Sequence, residues 1–455
     1  MRIRVIQQFP AVLFALVGVS ALASLPQVES SWNGVKEVYG EQDFGLRILR
    51  ELTLLLTVAY AALDRRFWRT LADPKVSVLL LVIVSYGLFE FGYALYLGLP
   101  PIVPLAGLRV FEYLPLALIG FMLAREGAGD DVLTHFTRLL RFYVAVQAVL
   151  AVAQALWAPP LFGVSMLGGG RPFGTFVSPN LFGAAMATCT LFFALADHRR
   201  PRATPNLLPP LGEGGPEGRT RAAGISPETE GMGWWMGLSL FLALLSGSRT
   251  ALLSALLVVF FTACGKVRAR DRWALWLPAP LLAVAALLIA SSPLVSGRDD
   301  ADLTKEGRLV LWQRLLSTYI NDAPDLLFGW GLGLGSNTIN VLFGEDHFPG
   351  QFDSDSLYLF LLNGYGLLGL LAYLGFLWLS LRLSHHPRRH LALTFIFVAG
   401  LPFNLWEYFP QNAMLMFLWG MLLGTPHPSL RRAEEFANWW RDGRLQPGYR
   451  QESRP

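Results

Sequence analysis

Long apolar stretches alternate with short polar and basic ones along almost the whole chain. Most apolar runs are about 18 to 25 residues long, the length that lets a helix cross a hydrocarbon core of about 30 Å. They place spans at 9–25, 46–63, 76–98, 102–124, 139–157, 180–197, 233–247, 250–265, 273–292, 356–381, 391–409 and 412–424, the seventh, eighth and last being short. The predicted fold is all-α: a polytopic transmembrane helix bundle of about 12 spans.

The polar segments between the runs set the orientation. With both termini in the cytoplasm, the inside segments are 1–8, 64–75, 125–138, 198–232, 266–272, 382–390 and the tail from 425. They and their immediate edges hold all of the 37 Lys and Arg except Lys36, Arg47, Arg50, Arg109, Arg171, Arg249, Arg298, Lys305, Arg308 and Arg314. Cationic loops gather on the cytoplasmic side of a membrane, so a twelve-span count satisfies the rule at every loop, and the exceptions stand out. The first run, after Met1-Arg2-Ile3-Arg4, resembles a signal peptide without a small-residue cleavage site and is read as a retained span.

Two segments are not spans. Residues 199–232 are rich in Pro, Gly, Glu and Arg with no apolar period, and read as a flexible cytoplasmic linker. Residues 293–355 form an outside loop too long for a plain connection, and are expected to be structured. Within it Leu309, Trp312, Leu316 and Tyr319 recur at helical spacing, and a glycine-rich turn runs from Gly329 to Gly335. The organisation is thus spans 1–6 (1–198), linker (199–232), spans 7–9 (233–292), periplasmic loop (293–355), spans 10–12 (356–424) and cytoplasmic tail (425–455), the last with an interfacial helix around Trp439 and Trp440.

Composition agrees and removes other classes. Hydrophobic residues make up 53% of the chain and charged ones 15%, too little charge to cover a soluble domain of this size. The basic pI of about 9.1 comes from the inside loops, not from a nucleic-acid surface. Cys189 and Cys264 both lie in apolar runs, so neither a disulfide nor a Cys-ligated metal is expected.

Four outer segments carry candidate chemistry. Arg171 to Asn180 combines a cation with a Pro-Gly-Asn turn that opens a helix at Pro179, and both features favour an anion; an arginine bonded to lipid headgroups is the plain alternative. Ser246-Gly247-Ser248-Arg249-Thr250 sets an arginine between two apolar runs, where a guanidinium fork suits phosphate; capping of helix carbonyls is the alternative. Arg308 and Trp312 share a helix face, with Arg314 beside them, and also suit interfacial anchoring. Asp353 and Asp355 stand before the tenth span with Tyr358, either one a candidate N-cap and either one a candidate base toward a sugar hydroxyl. His347 is a reserve candidate that reads more simply as a loop residue. Arg109 and Glu112, three apart in the fourth span, are read as neutralising each other. Arg47, Arg50, Glu51 and Glu407 are candidates to line an outer cavity. Several arginines and one carboxylate at one face suit the transfer of a sugar from a polyprenyl diphosphate.

The ordered set of motifs resembles the O-antigen ligase and polymerase family of bacterial membrane proteins. Arg171 to Asn180 is similar to its R-x-x-G-T-F-x-x-P-N segment, Ser248-Arg249-Thr250 to its S-R-[TG] turn, Arg308 with Trp312 to its loop R-x-x-x-W, and Asp355 to Leu359 with Gly364 to Gly369 to its next span. The resemblance covers about residues 170 to 380; the first half matches in hydropathy alone. It implies a GT-C-like, metal-independent, inverting glycosyltransferase of the inner membrane, without cofactor. Such an enzyme acts at the periplasmic side on an undecaprenyl-diphosphate-linked glycan donor and a glycan or lipid acceptor. It also implies that Arg171, Arg249 and Arg308 hold the diphosphate. Asp355-Ser356 occupies a slot where the ligase branch has histidine and asparagine, and this looks more like the polymerases. A ligase to lipid A core or protein is the alternative, and a transporter or flippase is the rival of another class, though no internal repeat is visible.

Overall fold

The computed structural model describes residues 10–15, 18, 44–157, 176, 179–197, 231–266, 313, 317, 323–336, 339, 343, 347–348, 356–400, 404–405 and 410–425. Among them the regular structure is helical, with no strand. The helices are α1 (Phe44–Ala62), α2 (Arg65–Leu71), α3 (Pro74–Tyr96), α4 (Ile102–Gly107), a 3-10 turn (Leu108–Phe111), α5 (Leu114–Arg125), α6 (Gly129–Trp157), α7 (Pro179–Asp197), α8 (Met232–Leu245), α9 (Arg249–Lys266), α10 (Ala323–Phe328), α11 (Leu357–Leu383), α12 (Arg389–Gly400) and α13 (Gln411–Gly424). Residues 10–15 are helical as well. The predicted ninth span, most of the linker and the tail lie outside the described residues.

Four helices are long and apolar enough to cross a membrane, within Val76–Tyr96, Asp131–Ala153, Asn180–Asp197 and Leu357–Leu383. Five more are apolar but shorter: Glu51–Ala62, Leu114–Arg125, Met232–Leu245, Thr250–Cys264 and Arg389–Gly400. Three predicted spans are therefore not continuous helices. The fourth breaks at the 3-10 turn, because Gly107 meets the backbone of Gly333 and Pro115 opens a fresh helix. Arg109 falls in that turn, with its side chain outside the described residues, and Glu112 just after it. The eleventh is helical from Arg389 to Gly400 and irregular at Asn404 and Leu405, between Pro402 and Pro410. The tenth is kinked at Gly366, where φ is 64° and ψ −170°.

The centre of the bundle is α7, buried at every residue from Phe182 to Asp197. It packs on α8 and α9, with Thr190 Oγ1 and Ser239 Oγ 2.9 Å apart across the first contact. The other closely packed pair, α5 and α13, run parallel: Gly420 meets Ala117, and Gly424 meets Phe121 one turn on. A methyl at Gly420 would strike the Ala117 carbonyl oxygen and stand 2.8 Å from Ala117 Cα. Lipid offers no hydrophobic drive between helices, so small residues four apart that let backbones touch supply the packing energy. By contrast α3 turns Val78, Leu81, Val82 and Leu88 outward, as a lipid-facing helix does.

The helix ends sort into two layers. At one end Arg125 pairs with Asp73, Arg66 Nη1 lies 3.1 Å from Glu126 Oε2, and Ser384 Oγ donates to the Leu422 carbonyl at 2.7 Å. There too Arg388 donates to the Ala194 carbonyl in the last turn of α7, where a cation suits the negative helix end. Burial pulls the Arg388 guanidinium below its usual range, and the nearby Asp197 charge acts against that pull. These are the segments that the charge rule assigns to the inside.

The glycine-rich turn braces the opposite half. Gly329, Gly331, Gly333 and Gly335 all have positive φ, between 76° and 109°, which a residue with a side chain rarely adopts. The turn slots between α3, α4 and the α11 kink: methyls at Gly329 and Gly331 would stand 2.6 Å from Gly366 N and 3.2 Å from Ala94 Cβ. The kink breaks the α11 ladder, and the exposed carbonyls find donors. Trp330 N–H gives 2.8 Å to the Asn363 carbonyl, and Tyr86 O–H gives 3.0 Å to the Tyr365 carbonyl. Irregular backbone at membrane depth survives only when protein satisfies it in this way.

Candidate functional site

The Ser246–Thr250 turn is built by its own sequence. Ser246 ends α8, with its hydroxyl donating 2.6 Å to the Ala243 carbonyl and accepting 3.2 Å from Ser248 N–H. Gly247 takes φ 61°, the left-handed step that reverses the chain. Ser248 then caps α9, its oxygen accepting from Ala251 N–H at 3.4 Å. Arg249 is thereby fixed as the first residue of α9. The start of α9 is the positive end of its dipole and favours an anion; the Arg249 side chain itself lies outside the described residues.

This turn sits on the start of α7. A methyl at Gly183 would strike Ser246 Oγ and lie 2.8 Å from Ala251 Cβ and 3.0 Å from Ser248 Cβ, so glycine is what lets the two segments touch. Asn180, one of the predicted binding residues, is the second residue of α7. Just upstream, Phe176 is buried, with its ring 6.1 Å from that of Phe182. Arg171 itself lies outside the described residues, but it precedes Phe176 by five positions, a reach of at most about 18 Å.

The same end gathers two more helix starts. Gln411, first in α13, donates from Nε2 to the Leu181 carbonyl at 2.9 Å. Its neighbour Asn412 lines a small gap with Leu357, Ile396 and Leu405, and Gly400 abuts Leu357 and Tyr358. An unbroken run of contacts thus links the start of α11, two residues after Asp355, through α13 and α7 to the residue before Arg249. Ser356 stands at the N-cap position of α11 without a side-chain cap bond, so the cap does not fall on Asp353 or Asp355. Tyr358 is half-buried, and its hydroxyl donates 2.6 Å to the Phe397 carbonyl, which leaves oxygen lone pairs for a ligand.

Asp353, Asp355, Arg308, Trp312 and Arg314 lie outside the described residues, as do Arg47, Arg50 (both by side chain) and Glu407. In the predicted loop helix, the two described residues Gln313 and Ser317 are helical and exposed. His347 is exposed and stacks on Phe343, a loop packing role. Cys189 is buried and Cys264 half-buried, both free thiols. Among the described residues no group of three or more His, Cys, Asp or Glu side chains is assembled. The buried carboxamides Asn404, Gln411 and Asn412 were not anticipated, although the Pro402-Phe-Asn404 and Pro410-Gln411-Asn412 interruptions of an apolar run point to them.

A helical bundle with membrane-length spans, and with four helix starts gathered at one end, defines a polytopic membrane protein. Comparison with known families then adds that residues 234–374 match the family model described as O-Antigen ligase, which supports assignment to the O-antigen ligase and polymerase family. The matched stretch runs from α8 through the Ser-Arg turn and the long loop into α11. No curated protein and no solved structure matches the chain.

Proposed function

We propose that the chain is a membrane glycosyltransferase that polymerises lipid-linked repeat units of O-antigen or exopolysaccharide. The donor is a glycan on undecaprenyl diphosphate, met at the periplasmic face of the inner membrane. The observation that carries the reading is the seat of the Ser246–Arg249 turn on Gly183, at the start of the helix that follows the Arg171–Asn180 segment. In the reaction, a hydroxyl oxygen of the acceptor sugar attacks the anomeric carbon of the donor. The bond from that carbon to the diphosphate oxygen breaks, with inversion, and the hydroxyl proton passes to Asp355. Negative charge grows on the leaving diphosphate, and Arg171, Arg249 and Arg308 stabilise it together with the N-termini of α7 and α9. Asn180, Trp312, Arg314, Asp353 and Tyr358 contact the sugars. Arg249→Ala is expected to abolish long polymer while the protein still inserts and folds; a normal ladder of chain lengths from that variant rejects the assignment.

The family description favours a second reading, a ligase that moves finished glycan to an acceptor such as lipid A core. A deletion strain separates the two. Single repeats still attached to the surface mean a polymerase; free lipid-linked polymer means a ligase.

A further inference from the structure

Gln411 lies beyond the stretch that matches the family, is fully buried, and touches the segment on which the proposed chemistry depends. Its amide nitrogen gives a 2.9 Å hydrogen bond to the Leu181 carbonyl, in the first turn of α7. That bond fixes the carboxamide's orientation, since the flipped form would set two acceptor oxygens face to face. The other atom, Oε1, is buried without a hydrogen-bond partner among the described residues. An orphaned buried acceptor costs more than a neutral hydrogen bond returns, so glutamine is a poor choice here for stability alone. An apolar residue of equal length would fill the space without the penalty. What glutamine adds is a fixed tie between α13 and the turn that carries Asn180, and through Gly183 the Arg249 turn as well.

We propose that Gln411 is a positioning residue for glycosyl transfer: it holds the first turn of α7 in register with α13 and the start of α11, so that the diphosphate-binding and acceptor-activating segments face one substrate. The proposal rests on the transferase reading above and deepens it. Because the orphan oxygen and the tie have opposite effects on stability, function and stability should separate. In purified protein, Gln411→Met is expected to hold or raise the melting temperature while kcat on a lipid-linked oligosaccharide falls about tenfold or more, as a displacement of catalytic groups by well under 1 Å does. Gln411→His, which keeps a ring N–H donor, is expected to recover part of kcat. A Met variant whose melting temperature drops by several degrees overturns the proposal, because the role is then structural. Unchanged melting temperature and unchanged kcat overturn it too. Should the Met variant fail to insert, the role is likewise structural, and the His variant must then insert with reduced stability. Wild-type protein that neither binds sugar-free polyprenyl diphosphate nor transfers sugar removes the transferase reading itself, a result distinct from a wild type and a Met variant that transfer equally.

Discussion

Gly183→Ala perturbs a close contact that joins the two arginine-bearing segments. In α7 the added methyl improves helix propensity by up to about 1 kcal/mol. Against that it strikes Ser246 Oγ and stands 2.8 Å from Ala251 Cβ and 3.0 Å from Ser248 Cβ. The serine hydroxyl can rotate away, but the two Cβ atoms are fixed to the backbone, so the start of α9 must shift. Overpacking of this kind costs about 1 to 3 kcal/mol, which leaves a net loss of about 0 to 2 kcal/mol after the full propensity gain. The protein should therefore still insert, with a melting temperature lowered by no more than a few degrees. The functional effect is larger, because a shift near 1 Å in a group that binds the leaving diphosphate costs about 100-fold. Ala251→Gly removes the nearest atom that cannot rotate away, so the double variant should recover part of the loss, with a coupling of at least about 0.5 kcal/mol. The assay is initial-rate transfer from a lipid-linked oligosaccharide, with the melting temperature read on the same preparations. Gly183→Ala protein with wild-type rates, or strictly additive double-variant effects, refutes the reasoning.

Three further outcomes are expected. Gly420→Leu should lower the melting temperature by many degrees, since the Ala117 backbone blocks any side chain there, whereas Gly237→Ala, with nothing within 4 Å, should leave it unchanged or raise it. Arg388→Ala removes the donor to the Ala194 carbonyl and the counter-charge of Asp197; the loss is about 1 to 2 kcal/mol, modest because Arg388 is only partly buried, and is read in thermal unfolding. Excess EDTA should leave transfer rates unchanged; a loss of rate that a divalent cation restores would make Asp353 and Asp355 candidate metal ligands.

Much of this architecture was legible in the apolar runs, because lipid demands helices of a set length. The ends of α1, α3 and α7 fall within two residues of the predicted spans. The sorting of helix ends into two layers followed from the positions of Arg66, Arg125 and Arg388. What periodicity does not carry is contact between distant segments. Nothing local announces that Gly107 must yield to Gly333, or that Gly366 is a kink braced by Trp330 and Tyr86, so the fourth and tenth spans read as unbroken. The same holds for the site. Ser246–Arg249 was recognisable by its misplaced cation, and its capping geometry follows from Gly247 and Ser248 alone. Gln411 was not, because a single glutamine in an apolar run gains meaning only from the Leu181 carbonyl opposite it.

The central claim is that guanidinium groups from two distant segments grip one pyrophosphate. Its most direct test is the affinity of purified protein in nanodiscs for sugar-free polyprenyl diphosphate, measured for wild type, Arg171→Ala, Arg249→Ala and the double variant. Each single change is expected to weaken binding by about tenfold or more, the value of a charge-assisted contact, and the double change by clearly less than the product, since both act on one ligand. Wild-type affinity in either single variant, or two effects that multiply as if independent, would contradict the account.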